Sequence, residues 1–140
     1  MTPSHTDLVF IPLGGTGEIG MNMNLYGHDG KWLMVDCGVT FPKPGRVSAD
    51  GTRHHNGEPD TQMPDPEFIE ARKDDLAGLI ITHAHEDHVG AVPHVWQAFE
   101  CPIYATPFTC AFLNHKISEM RGGPKPKVHE LPIGSKVELG

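Results

Sequence analysis

The stretch Thr82-His83-Ala84-His85-Glu86-Asp87-His88-Val89-Gly90, set directly after the apolar run Leu79-Ile80-Ile81, constrains this chain more than any other feature. A buried strand that runs out into a loop of ligand-type side chains, followed by a helical pattern, is the layout of an α/β protein with its chemistry at a strand end. On an extended backbone His83 and His85 point the same way. From Glu86 the sequence reads as one helix through Val89, Val92, Val95 and Trp96, which turns Asp87 and His88 toward the same point from the other side. Two imidazoles can hold one cation, and a carboxylate plus an imidazole can hold another. Nitrogen donors mixed with a hard oxygen donor suit zinc, with manganese or iron as alternatives, whereas calcium requires an oxygen cage that this segment lacks. The segment therefore points to metal-dependent hydrolysis. The competing reading is a solvated loop in which some of the chain's 10 His cluster by chance, and the strand-loop-helix context argues against it. A helical zinc-protease motif is excluded, because it needs His at i and i+4 with Glu between them.

Around this centre the pattern places strands over residues 8–13, 21–26 and 32–35, with His28-Asp29-Gly30-Lys31 turning between the last two. Residues 42–66 hold five Pro and three Gly and read as a long loop. The adjacent pair His54-His55 inside it is poorly spaced to chelate one ion. A short helix follows over 66–72, with Asp65 as N-cap and Pro66 at its first position. Beyond the ligand segment come a strand over 102–105 and a helix over 107–120, whose residues Phe108, Ala111, Phe112 and His115 form a stripe expected to face the core. Arg121 to Lys127 form a turn, and 128–131 with 137–139 are expected to pair as a closing hairpin. The glycine run from Gly14 to Gly20 reads as a tight turn that lets backbone come close to a site. It is neither a dinucleotide fingerprint nor a P-loop, since no Gly-Lys-Ser/Thr follows and no βαβ pattern surrounds it.

The run His83 to His88 resembles the H-x-H-x-D-H signature of the metallo-β-lactamase superfamily. The resemblance implies that His83 and His85 serve one metal site and Asp87 and His88 a second, with two zinc ions in the complete site and manganese as an alternative. It implies catalytic roles for Asp87 and His88. It extends upstream to Leu33-Met34-Val35-Asp36-Cys37-Gly38, where Asp36 would orient ligands from beneath the metals without binding them. A narrower similarity, to the bacterial ribonuclease J family, rests on Pro12 to Met23, Asp36 to Pro42, Met63-Pro64-Asp65, His85 to Pro93 and Cys101 to Thr109, and covers most of residues 8–118. The fold this implies is α/β, the N-terminal half of an αββα sandwich with a mixed sheet and helices packed on it. The function implied is RNA phosphodiester hydrolysis, both internal and from a 5′ end, in RNA processing and decay.

In that family a further His, a metal-bridging Asp and a late His complete the site, and β-CASP and C-terminal domains follow. After His88 this sequence has His94, His115 and His129 and no aspartate. The 140 residues are thus expected to be one N-terminal part of a hydrolase domain, with little activity by themselves. A net charge of −7, from 11 basic and 18 acidic residues, argues against this segment alone enveloping RNA. Cys37, Cys101 and Cys110 lack the spacing of a zinc knuckle or a disulfide framework and read as buried thiols in a reducing cytoplasm. No run of apolar residues is long enough for a membrane span. Two rivals remain: a thioester or lactone hydrolase of the same superfamily, and a non-catalytic piece that self-associates through an open sheet edge as a homo-oligomer.

Overall fold

Alternating burial sets the first half of the sheet in the computed structural model, which describes residues 1–41, 49–51 and 61–139. Most of the expected 42–66 loop, with His54 and His55, lies outside the described residues. Strands β1 (Val9–Gly14), β2 (Met23–His28) and β3 (Lys31–Val35) form an antiparallel meander. In β2 the side chains of Met23 and Leu25 are buried, while Asn24, Tyr26 and His28 face outward. His28 pairs with Lys31 across a two-residue turn in which Asp29 (φ 43°) and Gly30 (φ 77°) are both left-handed, the backbone that a type I′ hairpin requires.

The second half is built from parallel crossovers. Helix α1 (Glu67–Glu70) and a 3-10 turn over Lys73–Asp75 lead into β4 (Leu76–Ile80). The N-cap of α1 is Pro66, one residue later than expected; Asp65 stands just before it, and its Oδ1 accepts the Glu67 N–H at 2.9 Å, bracing the first turn from outside the cap. Helices α2 (Glu86–Val89) and α3 (Val92–Phe99) connect β4 to β5 (Ile103–Ala105), and α4 (Pro107–Ser118) connects β5 to β6 (Val128–Glu130). The strands lie in chain order from β1 to β6, antiparallel up to β3 and parallel from β3 onward. This is the mixed α/β sheet expected.

Register explains where the core sits. Leu25, Met34, Leu79 and Ile103 stand opposite one another on four successive strands, and each is fully buried. Ile69 of α1, Trp96 and Phe99 of α3, and Leu113 and Ile117 of α4 join the same cluster. Each fully buried Leu or Ile contributes roughly 1.5–3 kcal/mol. The adjacent row, Asn24, Val35, Ile80, Tyr104 and His129, lies on the opposite face and is only half-buried.

Four further expectations are corrected. The single helix from Glu86 breaks at Gly90-Ala91, because the Asp87 carbonyl is taken by the Asn22 N–H at 3.1 Å and the Ala91 N–H goes to the Cys37 carbonyl at 3.0 Å. The motif strand starts three residues earlier, at Leu76, and ends at Ile80, although Ile81 still donates to the Tyr104 carbonyl. On α4 the inward stripe is Thr109, Cys110, Leu113 and Ile117, whereas Phe108, Ala111 and His115 are exposed and Phe112 is half-buried. Two small residues, Thr109 and Cys110, hid that inner face from an apolar reading. Finally, Val128–Glu130 pairs in parallel with β5 and forms no hairpin, and residues 137–139 carry no strand. No described helix is long and apolar enough to cross a membrane.

Candidate metal centre

Strand β3 ends at Val35, and Asp36 then takes a left-handed conformation (φ 64°) while its N–H bonds the Ile80 carbonyl at 2.8 Å. The turn delivers the Asp36 carboxylate into the gap between the ends of two parallel strands, where it is only 4% exposed. Burying a carboxylate without partners is costly, and Asp36 has several. Its Oδ1 accepts the Thr82 N–H at 2.8 Å, both oxygens lie 3.0 Å from Thr82 Oγ1, and Oδ2 lies 2.8 Å from His88 Nδ1.

This network orients two imidazoles. A carboxylate only accepts, so His88 carries its proton on Nδ1 and, when neutral, keeps a lone pair on Nε2. Thr82 has one hydroxyl proton; with that proton given to Asp36, its oxygen accepts from His83 Nδ1, 2.9 Å away, and His83 Nε2 is likewise left free. One buried carboxylate thus fixes His88 directly and His83 through a hydroxyl.

The rings gather as the spacing suggests. The His83 centroid lies 4.6 Å from that of His85 and 4.0 Å from that of His88. His88 Nε2 faces Asp87 Oδ2 at 3.4 Å, with both side chains about a quarter exposed above the buried Asp36. Two donors each about 2.1 Å from a tetrahedral ion lie about 3.4 Å apart, so this pair has the separation of two ligands of one zinc-sized ion. Among the described residues no three His, Cys, Asp or Glu side chains close around a single point. The donors fit a metal in type, and the His88–Asp87 pair fits one in spacing as well; a full coordination sphere requires more of them. His94 is exposed on α3, His115 is exposed beside Glu119, and His129 stacks on Tyr104 at 5.0 Å, and none of them completes a group of three donors among the described residues.

Backbone contacts clamp the ligand segment against the Asp36–Val39 turn. Cys37 N–H donates to the His88 carbonyl at 2.8 Å, Val39 N–H to that of Glu86 at 3.1 Å, and Gly38 N–H to that of Asn22 at 2.9 Å. Gly38 has no substitute here, since a Cβ at that position would be driven into the Asp87 carbonyl. Cys37, Cys101 and Cys110 are free and buried. Burial pushes the Cys37 thiol well up and that of Cys101 to about 12, which suits core positions.

Two contributors had no role in the sequence reading. Asn22, which follows the glycine run, places its Nδ2 at 3.0 Å from the Asp87 carbonyl and 3.4 Å from His88 Nε2. Thr82 is the link between Asp36 and His83. Position was the available signal: Thr82 is the last residue before the first ligand-type His, and Asn22 ends the turn that brings β1 and β2 to the site.

The chain matches the profile of the Metallo-beta-lactamase superfamily over residues 17–139. It is 39% identical over 138 residues to Ribonuclease J of Sinorhizobium meliloti, an alignment that covers 96% of this chain and 23% of that protein. It is 36% identical over 116 residues to Ribonuclease J of Helicobacter pylori, covering 83% of this chain and 15% of the relative. With Ribonuclease J of Mycolicibacterium smegmatis it shares 40% identity over 114 residues, covering 81% of this chain and 19% of the relative. The chain therefore spans less than a quarter of the length of these curated relatives.

Proposed function

Because the chain belongs to the metallo-beta-lactamase superfamily, we propose that the polypeptide it forms part of hydrolyses RNA phosphodiester bonds at the centre built by His83, His85, Asp87 and His88. The superfamily implies a divalent metal ion. In the proposed assignment two zinc ions occupy the complete site, with manganese as the alternative, His83 and His85 serving one ion and Asp87 and His88 the other. Bound there, the ions would polarise the scissile phosphate and make an attacking water more acidic. The side chains of this segment hold that chemistry in place. Asp36 orients His88 and, through Thr82, His83; Asn22 holds the Asp87 carbonyl; and Gly38 lets the two backbone segments meet.

The observation that carries this reading is the placement of His88 between Asp36 at 2.8 Å and Asp87 at 3.4 Å. One ring nitrogen is committed to a buried carboxylate and the other faces a second carboxylate at a ligand-like spacing, the arrangement of a histidine tuned for metal. RNA as substrate is supported by the relatives, each a Ribonuclease J that matches over most of this chain. RNA processing and decay in the cytoplasm by a homo-oligomer belongs to the same proposal. Three buried thiols with no disulfide support a reducing compartment.

Elemental analysis of the intact protein purified without chelators tests the metal assignment. About two ions per chain are expected, with loss of one or both in His83→Ala and Asp87→Ala. A metal-free intact protein would remove the basis of the proposal.

A further inference from the structure

Glu86 lies between His85 and Asp87, so it adds a fifth potential donor inside the ligand segment, and its side chain is turned away from that cluster. Its Oε1 is 2.6 Å from Lys116 Nζ on α4, and its Oε2 is packed against Gly90, where a Cβ would come within 2.6 Å of it. The Lys116 side chain is only 22% exposed and that of Glu86 38%, and the ammonium lies 5.3 Å from the centre of the Phe112 ring. The other end of Glu86 is also held, since its carbonyl accepts the N–H groups of Val39 and Gly90 at 3.1 and 2.8 Å.

We propose that Lys116 is a positioning residue for the metal centre: by holding the Glu86 carboxylate out of the coordination space, it fixes the direction in which Asp87 and His88 leave the chain. This rests on the metal-centre reading above. Free of Lys116, Glu86 would be an unpaired carboxylate next in sequence to two ligands, a hard donor able to displace the Asp87 oxygen or to repel it. A single ion pair that is still partly open to water contributes only modestly to stability, so its value here is in which donors face the metal more than in how firmly the domain is folded. In the H-x-H-x-D-H pattern Glu86 fills a position for which the signature asks nothing. The partner that explains its orientation lies one crossover later, on α4.

The test uses cobalt(II), whose visible spectrum reports ligand number and geometry, titrated into the intact metal-free protein. Lys116→Met is expected to weaken cobalt binding ~10-fold or more, to alter the visible spectrum and to leave the thermal midpoint within a few degrees. Lys116→Arg restores wild-type affinity and spectrum. In a Glu86→Gln background, Lys116→Met has no further effect on affinity, because there is no carboxylate left to hold away. Unchanged affinity and spectrum in Lys116→Met would overturn the inference, with or without a shift in melting temperature, and so would additive effects in the double variant. Wild-type protein that takes up no cobalt would instead overturn the metal centre itself, and this inference with it.

Discussion

His88 Nδ1 lies 2.8 Å from Oδ2 of Asp36, a residue 52 positions earlier in the chain. The contact joins the end of β3 to the ligand segment that leaves β4, and the parallel pairing of those two strands is what makes it possible. With Thr82 on the same carboxylate, it converts a loop of polar residues into a set of imidazoles with defined free nitrogens. The site's order is therefore a property of the sheet, carried by one buried acid.

Asp36→Asn replaces a pure acceptor by a group that presents a donor on one side, so it cannot satisfy both His88 and Thr82. Zinc affinity, measured by competition with a chromophoric chelator, should fall ~10–100-fold, as for other partners of metal-binding histidines. Thr82→Val removes only the link to His83 and should cost less. Equal affinity in Asp36→Asn and wild type would show that the network does not orient ligands.

Gly38→Ala should be among the most damaging single-methyl changes in the chain. The clash is with main-chain atoms of Asp87, which no rotamer change can relieve. We expect a loss of about 3 kcal/mol or more in denaturant unfolding, or failure to fold. A loss below about 0.5 kcal/mol, the size of an ordinary surface substitution, would mean that the two segments are not clamped as described.

Much of this was legible in the sequence because it is local. The strand, the His-x-His spacing and the Asp-His pair sit within ten residues, and the Asp29-Gly30 turn declares its own backbone. The break between α2 and α3 was not legible, since it depends on Asn22 and Cys37 taking hydrogen bonds that a continuous helix would use. The inner face of α4 was missed for a similar reason. Phe108 and Phe112 look more like core than Thr109 and Cys110 do, and only packing against β5 and β6 decides which side faces in. The resemblance implied that Asp36 orients ligands, but that its partners are Thr82 and His88 was not legible, because nothing local shows which residues of the two distant segments meet.

Burial on α4 gives a direct contrast. Leu113→Ala removes a fully buried side chain and should cost about 2–5 kcal/mol. Phe108→Ala, at a position 75% exposed, should change stability by no more than about 0.5 kcal/mol. Urea unfolding of both variants checks the orientation of the helix, and similar losses would contradict it.

Cys101 makes stability depend on alkaline pH. Burial raises its pKa in the folded protein from the ordinary 9.0 to about 12, so the fold favours the neutral thiol. The associated stability is fully present below pH 9.0 and is lost as pH rises toward about 12. Unfolding free energy followed across this window should decline less steeply in Cys101→Ala than in wild type. Parallel declines would place the thiol in water.

The most direct test of the central claim is cleavage of a 5′-labelled RNA by the intact protein, metal-free and then resupplied with zinc or manganese, alongside the His88→Ala variant. The account predicts metal-dependent RNA hydrolysis in the wild type and its loss in the variant. No RNA cleavage with either ion, or activity that survives in His88→Ala, would contradict it. Hydrolysis of a thioester or lactone in place of RNA would assign the same centre to a different substrate.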